Sequence, residues 1–372
     1  MKVFPTRKIQ VTLIIMKTIL SFSIIPMLMG LFACGGNKYI DMDVVEFGLL
    51  LKENEAALID VRTPDEYAEG HIASAVNIDY YSDSFLEDVK AQYPLDKPLA
   101  VYCRSGKRSA GAAKKLANAG YTVYNLKGGY LAWTESGRRT TKYEVELFQT
   151  NAGSLVALCL IKHGSLEIEY DGLSIQVDPV GDYGKKTDYA KEFPKADVIL
   201  VTHEHPDHLE DSTITVLSKD VADQNAEGDN TLLILNKTSA DKIGRGTVIS
   251  NGEKMELPHG ITLEAVPAYN TTAGREMFHP KGNGNGYVLT IDGLRIYIAG
   301  DTEDIPEMAD LKDIDVAFLP VNQPYTMTPE QCANAAKVFS PKVLIPYHFG
   351  KTDLSGLQEM LPDQKILFRQ MQ

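Results

Sequence analysis

Hydrophobic and polar residues follow two different rhythms along the chain, and the change of rhythm divides it into two halves. In the first half, short apolar runs alternate with stretches of helical spacing, which is typical of a parallel α/β sheet. Strands are predicted at residues 57–62, 74–78, 98–103 and 122–126, and helices at residues 43–54, 82–91, 107–119 and 128–135. The pattern therefore predicts an α/β domain that ends near residue 136.

The second half is richer in hairpins, because Asp171-Gly172 and Asp292-Gly293 are dipeptides of tight two-residue turns. Strands are predicted at residues 154–162, 165–170, 173–178, 198–201, 286–291 and 294–299, and helices at residues 237–243, 303–311 and 328–339. The polar residues 137–152 are predicted to be a linker, and the acidic residues 219–230 a surface loop. A chain of 372 residues is long enough for two such domains.

The first 33 residues have the pattern of a targeting segment. Lys17 precedes the apolar run 18–33, which is short for a membrane-spanning helix and fits the apolar core of a signal peptide. The end of this run resembles a bacterial lipoprotein signal, which implies that Cys34 carries lipid. We therefore expect a cell-envelope protein, lipid-anchored and facing the periplasm or exterior. An uncleaved anchor helix, a plain secretory signal and a start at Met16 remain open.

The charge balance bears on the partners of the protein. The formal net charge of −13 argues against nucleic acid as the main partner, because phosphate binding needs a basic surface. The four cysteines do not form the pattern of a disulfide framework. Cys159 and Cys332 lie in apolar surroundings and are predicted to be small buried residues.

Four potential metal ligands follow the apolar strand 198–201 within six residues: His203, His205, Asp207 and His208. Side chains alternate in direction along an extended segment, so alternate residues of this run can converge on one side. Imidazoles combined with a carboxylate suit Zn²⁺, Fe²⁺ or Mn²⁺. The spacing therefore predicts a metal centre directly after this strand.

This H-x-H-x-D-H run resembles the signature of the metallo-β-lactamase fold, and the resemblance extends over residues 153–372. It implies an αββα sandwich with two divalent metal ions, preferably zinc, with manganese or iron as alternatives. It also implies a set of metal ligands: His203 and His205 on metal one, Asp207 and His208 on metal two, a bridging Asp301, and His348. Of these ligands, Asp207 is implied to be catalytic as well.

The third histidine of metal one is the weak point of the resemblance. Asn270 stands where that histidine is expected, and His279 is the tentative replacement, with a substrate-binding role as the alternative. His163 and Asp178 end early strands and are expected to orient the ligands. Their segments resemble the branch that contains ascorbate-phosphate lactonase and N-acyl-phosphatidylethanolamine phospholipase.

A second chemical motif places Cys103 between a strand and a helix. Backbone N–H groups at a helix N-terminus, with nearby cationic side chains, lower a thiol pKa and favour the thiolate. The loop, with Ile59-Asp60-Val61-Arg62 before it and Gly128-Gly129-Tyr130 after it, resembles a rhodanese (sulfurtransferase) domain over residues 40–136. The resemblance implies that Cys103 accepts sulfur from a donor and passes it to a thiol, within a cradle of Arg104, Ser105, Gly106, Lys107 and Arg108.

Three functions follow from these motifs. The first is an envelope lipoprotein that combines a sulfurtransferase with a metal-dependent hydrolase of a small-molecule ester, lactone or phosphodiester. The second is a sulfur-oxidising enzyme that resembles persulfide dioxygenases and uses one iron. The third is a non-catalytic sulfur carrier or binding lipoprotein. The number and identity of the bound metal ions discriminate among them.

Overall fold

The computed structural model describes residues 39–52, 56–219 and 230–369. These residues form one five-stranded sheet followed by two seven-stranded sheets. The predicted order of folds, an α/β domain and then an αββα sandwich, is confirmed. Most of the predicted surface loop 219–230, together with Cys34 and the targeting segment, lies outside the described residues.

The five-stranded sheet is parallel throughout and has the spatial order β1-β5-β4-β2-β3. Its strands are β1 (Ile40–Met42), β2 (Ala57–Asp60), β3 (Val76–Asn77), β4 (Leu99–Tyr102) and β5 (Val123–Leu126). Its helices are α1 (Val44–Lys52), α2 (Pro64–Glu69), α3 (Phe85–Gln92), α4 (Lys107–Asn118) and α5 (Gly129–Glu135). Apolar clusters cover both faces of the sheet, which explains why its central strands are continuous hydrophobic runs.

The first sheet of the sandwich has the spatial order β12-β11-β10-β9-β8-β7-β6. Its strands are β6 (Glu144–Gln149), β7 (Leu155–Lys162), β8 (Ser165–Tyr170), β9 (Leu173–Val177), β10 (Val198–Val201), β11 (Leu232–Leu235) and β12 (Thr247–Val248). The second sheet contains, in spatial order, β13 (Lys254–Leu257), β14 (Ile261–Ala268), β15 (Gly284–Ile291), β16 (Leu294–Ile298), β17 (Val316–Pro320), β18 (Val343–Tyr347) and β19 (Lys365–Ile366).

The two sheets enclose one apolar core, and a smaller core lies on the outer face of each sheet. The outer faces carry the helices α6 (Tyr189–Glu192), α7 (Asp211–Leu217), α8 (Lys237–Ile243), α9 (Pro329–Phe339) and α10 (Leu357–Met360). Thr328 and Gln331 cap the start of α9 reciprocally, each side chain accepting from the other residue's backbone N–H. None of the helices in the described part of the chain is long and apolar enough to cross a membrane.

Two stretches differ from the sequence prediction. Residues 137–152, predicted to be a linker, contain β6, which pairs antiparallel with β7 at the edge of the sheet. An edge strand is only partly buried, so β6 also carries glutamates. These polar residues obscure the alternation of Val145 and Leu147 in the sequence. The helix predicted at residues 303–311 is instead a short 3₁₀ helix, Pro306–Asp310; another 3₁₀ turn spans Pro258–Gly260.

The segment between the domains is held on both sides. Thr141 forms two backbone hydrogen bonds with His71 of the first domain, at 2.7 and 2.8 Å. Arg139 accepts a hydrogen bond from the Trp133 indole through its carbonyl, and its guanidinium pairs with the buried carboxylate of Glu167 in the sandwich. This segment therefore connects the two folds through specific contacts.

Candidate metal centre and candidate sulfur site

Strand ends of both sandwich sheets bring polar side chains to one edge of the fold. His163 follows β7, the run from His203 to His208 follows β10, Asp301 follows β16, and His348 follows β18. β10 belongs to the first sheet, whereas β16 and β18 belong to the second. Their ends come together because the two sheets pack against one apolar core. The apolar core between the sheets thus positions ligands that are far apart in sequence.

One group of ligand atoms comes from His203, His205 and His279. Nε2 of His203 lies 3.1 Å from Nδ1 of His205. Nε2 of His279 lies 3.2 Å from Oδ2 of Asp301, and Nε2 of His203 lies 3.9 Å from the same oxygen. Three imidazoles and one carboxylate oxygen are therefore close enough to share a cation.

A second group comes from His163, Asp207, His208 and His348. Oδ2 of Asp207 lies 3.1 Å from His163 Nε2, 3.5 Å from His348 Nε2 and 3.8 Å from His208 Nε2. Oδ1 of Asp301 faces this group, at 3.4 Å from Nε2 of both His208 and His348. The two oxygens of Asp301 therefore face different groups of ligands.

The buried atoms of the cluster fit a cation better than a closed hydrogen-bond network. Nε2 of His208, His279 and His348 and Oδ1 of Asp301 are buried and have no hydrogen-bond partner among the residues that the structure describes. Buried polar atoms are normally satisfied, since leaving one unsatisfied costs about 1–3 kcal/mol. Imidazole nitrogens and a carboxylate oxygen that converge in this way form a donor set for a divalent transition metal.

Neighbouring groups orient these ligands. Asp178 is fully buried and accepts hydrogen bonds from Thr202 N and Thr202 Oγ1, both at 2.7 Å. It also faces Nδ1 of His208 at 2.7 Å, so the Nε2 atom of that ring is directed into the cluster. Nδ1 of His348 lies 3.4 Å from Nδ2 of Asn322. Contacts of this kind fix the tautomer and ring orientation of metal-binding histidines.

The protonation of the cluster suits metal ligation. Burial lowers the pKa of His203 well below its ordinary value, and the nearby His208 lowers it further. Burial raises the pKa of Asp207 and Asp301, but the surrounding imidazoles outweigh burial and hold both pKa values low. Burial lowers the pKa of His208, yet the carboxylates of Asp301 and Asp178 raise it well above the ordinary value. The raised pKa means that His208 binds an extra proton. A cation would replace this proton, because metal ligands must be deprotonated.

The structure places His279, and not Asn270, among the ligand atoms of the first group. The Asn270 side chain points away and donates to the carbonyls of Tyr325 at 2.7 Å and Arg275 at 3.1 Å. The Asn270 backbone N–H donates to the His279 carbonyl at 2.9 Å. Asn270 therefore anchors the loop that delivers His279.

Cys103 directly follows β4, at the start of the short loop that leads into α4, and is almost completely buried. The Ser109 hydroxyl lies 3.5 Å from the Cys103 sulfur. Gly106 adopts a left-handed conformation, φ 90°, and a side chain at Gly129 would clash with the Cys103 carbonyl. Glycine at these two positions lets the loop curl and lets a second loop approach closely.

The surroundings of Cys103 favour the thiolate. Burial raises the pKa of the thiol, but hydrogen bonds from the Ser109 side chain and from the backbone of Ser109, Ser105 and Gly106 outweigh burial. The net effect is a pKa below the ordinary value. Arg104 and Lys107 are exposed beside this loop. The site thus has the lowered thiol pKa that nucleophilic cysteines need.

Arg108 differs from the other cradle residues, because its charge is already paired. Its guanidinium donates to both carboxylate oxygens of Glu66, at 2.6 and 2.7 Å. This pairing lowers the pKa of Glu66 to about 2. Arg108 thus contributes less free positive charge to the sulfur site than the sequence suggested.

The sequence interpretation missed several neighbours of the metal cluster. His163 joins the ligand group itself, whereas the sequence indicated only an orienting role. Thr202 and Asn322 contact ligands, and nothing in the motif indicates them. His259 is exposed and lies near Asp171, away from the cluster. Cys159 and Cys332 are buried, and burial raises the pKa of each to about 12, so neither is a reactive thiol.

Two family models match the chain. A model described as a beta-lactamase superfamily domain matches residues 157–348, which is more than half of the sequence. A model described as a rhodanese-like domain matches residues 43–136. The first range contains all the ligand residues named above, and the second contains Cys103 and its loop.

Individual relatives agree with these matches. The chain is 31% identical over 217 residues to a UPF0173 metal-dependent hydrolase from Ligilactobacillus salivarius, covering 54% of this chain and 90% of the relative. It is 32% identical over 203 residues to another from Thermococcus kodakarensis, covering 52% and 85%. A crystal structure from Parabacteroides distasonis, provisionally assigned as a metal-dependent hydrolase, is 50% identical with a TM-score of 0.57, covering 62% of this chain and 100% of that one.

Proposed function

The chain belongs to the beta-lactamase superfamily, and from this premise we propose that it is a metal-dependent hydrolase joined to a sulfurtransferase. Relatives named metal-dependent hydrolases support the first activity. The rhodanese-like domain and the lowered pKa of Cys103 support the second. The hydrolase substrate is a small molecule with an ester, lactone or phosphodiester bond, as in the lactonase and phospholipase branch that the sequence resembles.

One observation carries this proposal: buried ligand atoms that have no hydrogen-bond partner within the described part of the chain converge in two adjoining groups at one edge of the fold. In the proposed arrangement His203, His205 and His279 would hold one divalent ion, and Asp207, His208 and His348 would hold a second. Asp301 lies between them, because its two oxygens face the two groups. Zinc is the preferred ion, with manganese and iron as alternatives.

Bound divalent ions would supply a water of lowered pKa and stabilise the negative charge that develops on the substrate. The protein's own residues hold the ligands in the required protonation states. Thr202 donates two hydrogen bonds to Asp178, and Asp178 holds the proton on Nδ1 of His208. Nε2 of His163 lies 3.1 Å from Asp207 and orients that carboxylate.

The sulfur site would work by two nucleophilic displacements. The Cys103 thiolate attacks the outer sulfur of thiosulfate, the S–S bond breaks with its electron pair on sulfite, and a Cys103 persulfide forms. An acceptor thiolate then attacks the outer persulfide sulfur, becomes a persulfide itself and restores the Cys103 thiolate. The cradle N–H groups that lower the thiol pKa stabilise the negative sulfur at both stages.

Reciprocal substitutions test both activities in the full chain. We expect Asp301→Ala to lower metal content and to reduce ester or lactone hydrolysis by more than the 10–100-fold typical of a lost supporting residue. Cys103→Ser should keep metal content and hydrolysis but take up no sulfur from thiosulfate. Elemental analysis, hydrolysis assays and intact mass before and after donor treatment provide the measurements.

An Asp301→Ala protein with full metal content and full activity would contradict the two-ion arrangement.

The sulfur-oxidising alternative draws on the presence of Cys103 in the same chain as the metal cluster. It requires one iron per chain and consumption of dioxygen with a persulfide substrate. A protein with two zinc ions and no dioxygen uptake excludes it, and a metal-loaded protein without any turnover favours a non-catalytic carrier.

A further inference from the structure

Two tyrosine side chains beside the metal cluster remain exposed, Tyr183 at 44% and Tyr325 at 47%. Isolated exposed aromatic residues are common and need no explanation by themselves. These two differ, because Tyr183 packs against His163 of the ligand cluster and Tyr325 contacts residues that hold or precede candidate ligands. Their position makes them candidates for substrate contacts.

Tyr183 borders the cluster through His163. The two ring centroids are 4.8 Å apart, and Nε2 of His163 lies 3.1 Å from Oδ2 of Asp207. The His163 ring also packs at 3.7 Å, centroid to centroid, against the ring of His348. One aromatic contact therefore separates Tyr183 from the ligand cluster.

A buried lysine fixes the loop that carries Tyr183. Nζ of Lys162 donates to the carbonyls of Gly181, Tyr183 and Lys185 at 2.9, 2.8 and 2.7 Å. The Gly181 N–H also donates to Glu210 at 2.6 Å. Burying an ammonium group is costly unless it is fully hydrogen-bonded, and three carbonyl partners meet that need only while the loop keeps this shape. The backbone of Tyr183 is consequently held beside the cluster.

Tyr325 is connected to the other ligand group. Its carbonyl accepts from Asn270 Nδ2 at 2.7 Å, and Asn270 in turn holds the His279 carbonyl. Its N–H donates to the Asn322 carbonyl at 2.8 Å, and Asn322 contacts His348. The Tyr325 ring packs edge-on against Phe278, 5.2 Å between centroids.

Phe278, which packs against the Tyr325 ring, directly precedes His279, so Tyr325 borders the first ligand group as Tyr183 borders the second. Burial raises the pKa of Tyr183, and the carboxylates of Asp207 and Asp301 and the Tyr325 phenol contribute to the rise. Arg275, whose carbonyl also accepts from Asn270, pairs with Glu303 at 3.1 Å and so offers no free cation to this rim. The rim formed by Tyr183 and Tyr325 is aromatic, and its nearby guanidinium is neutralised.

We propose that Tyr183 and Tyr325 form an aromatic rim that binds a flat, uncharged group of the substrate next to the scissile bond. This assignment rests on the proposed hydrolase function and narrows its substrate class to aryl or similarly planar esters and lactones. Ring stacking and apolar contact with the two tyrosines favour such a group.

Binding of small carboxylates to the metal-loaded full chain tests the rim without requiring turnover. Phenylacetate and acetate share the carboxylate, and only phenylacetate carries a ring. We expect calorimetry to show phenylacetate binding about 3- to 10-fold more tightly than acetate, the range for one aromatic contact. Tyr183→Ala and Tyr325→Ala should each reduce this preference, whereas Tyr183→Phe and Tyr325→Phe should keep it.

Tyr81→Ala is the control, because Tyr81 is also an exposed tyrosine, at 67%, but lies in the first domain. The proposal is overturned if phenylacetate binds no more tightly than acetate, or if the preference survives both alanine substitutions. A parallel assay compares hydrolysis of phenyl acetate and methyl acetate. Ring-dependent binding without hydrolysis of either ester, of a lactone or of a phosphodiester would count against the hydrolase function and would leave the aromatic rim supported.

Discussion

At the scale of single residues, three strained backbone positions lie at the candidate metal centre. His163, Asp178 and His348 are not glycines, yet they adopt left-handed conformations with φ of 45°, 44° and 48°. Such conformations cost about 1–2 kcal/mol for a residue with a side chain. Each of the three residues either belongs to the ligand cluster or contacts it, so the strain accompanies the positioning of ligands.

Ser109 provides a residue-scale prediction for the sulfur site. Removing its hydroxyl in Ser109→Ala eliminates a hydrogen bond that lowers the Cys103 pKa. The thiolate is the reactive form and exists above the pKa, so the rate of sulfur uptake rises with pH through that value. We therefore expect the midpoint of the pH–rate profile to move to higher pH in Ser109→Ala, measured by stopped-flow with thiosulfate. An unmoved midpoint would show that backbone donors alone set the pKa.

At the scale of elements, the loop between β14 and β15 decides whether the first ligand group is complete. His279 is the candidate ligand, and the loop keeps its course through Asn270, which holds the Tyr325, Arg275 and His279 backbones. Asn270, which stands where a histidine was expected, thus supports His279, the histidine that occupies the ligand position instead.

This arrangement predicts graded effects of two substitutions. His279→Ala should lose one metal ion per chain, because it removes a ligand of the first group. Asn270→Ala should retain both ions at saturating metal but bind the first about 10–100-fold more weakly, as is typical of lost supporting contacts. Metal titration with a competing chelator distinguishes them. Equal metal affinity of Asn270→Ala and the parent protein would argue against the anchoring role.

At the scale of the whole molecule, the two candidate sites lie in different domains, and the segment around Arg139 and Thr141 connects them. Arg139 pairs with Glu167, whose carboxylate is 1% exposed, while its carbonyl binds Trp133. Removing one partner of a buried ion pair is costly, so this contact resists separation of the domains.

The attachment of the molecule is a further prediction at this scale, motivated by the apolar run that ends at Cys34. We propose that lipid on Cys34 holds both domains at the surface of the cell envelope. Cys34→Ala should then move the protein from the membrane fraction to the soluble fraction of the producing bacterium, measured by fractionation and immunoblotting. If the variant still sediments with membranes as the parent does, an anchor helix or another membrane contact is responsible.

The sequence by itself determined the features that depend on neighbouring residues. The run from His203 to His208 and the loop after Cys103 each follow a buried strand, so local geometry alone brings their chemical groups together. The alternation of strands and helices and the hairpin dipeptides likewise determine the two fold classes, because hydrophobic periodicity is a local property.

Only the tertiary structure decided what depends on contacts between distant segments. It placed His279 rather than Asn270 in the cluster, added His163, and directed the two oxygens of Asp301 to different ligand groups. It also paired Arg108 with Glu66, 42 positions away. No local pattern encodes these contacts, because they form only when the packed sheets and loops bring separate strand ends to one edge.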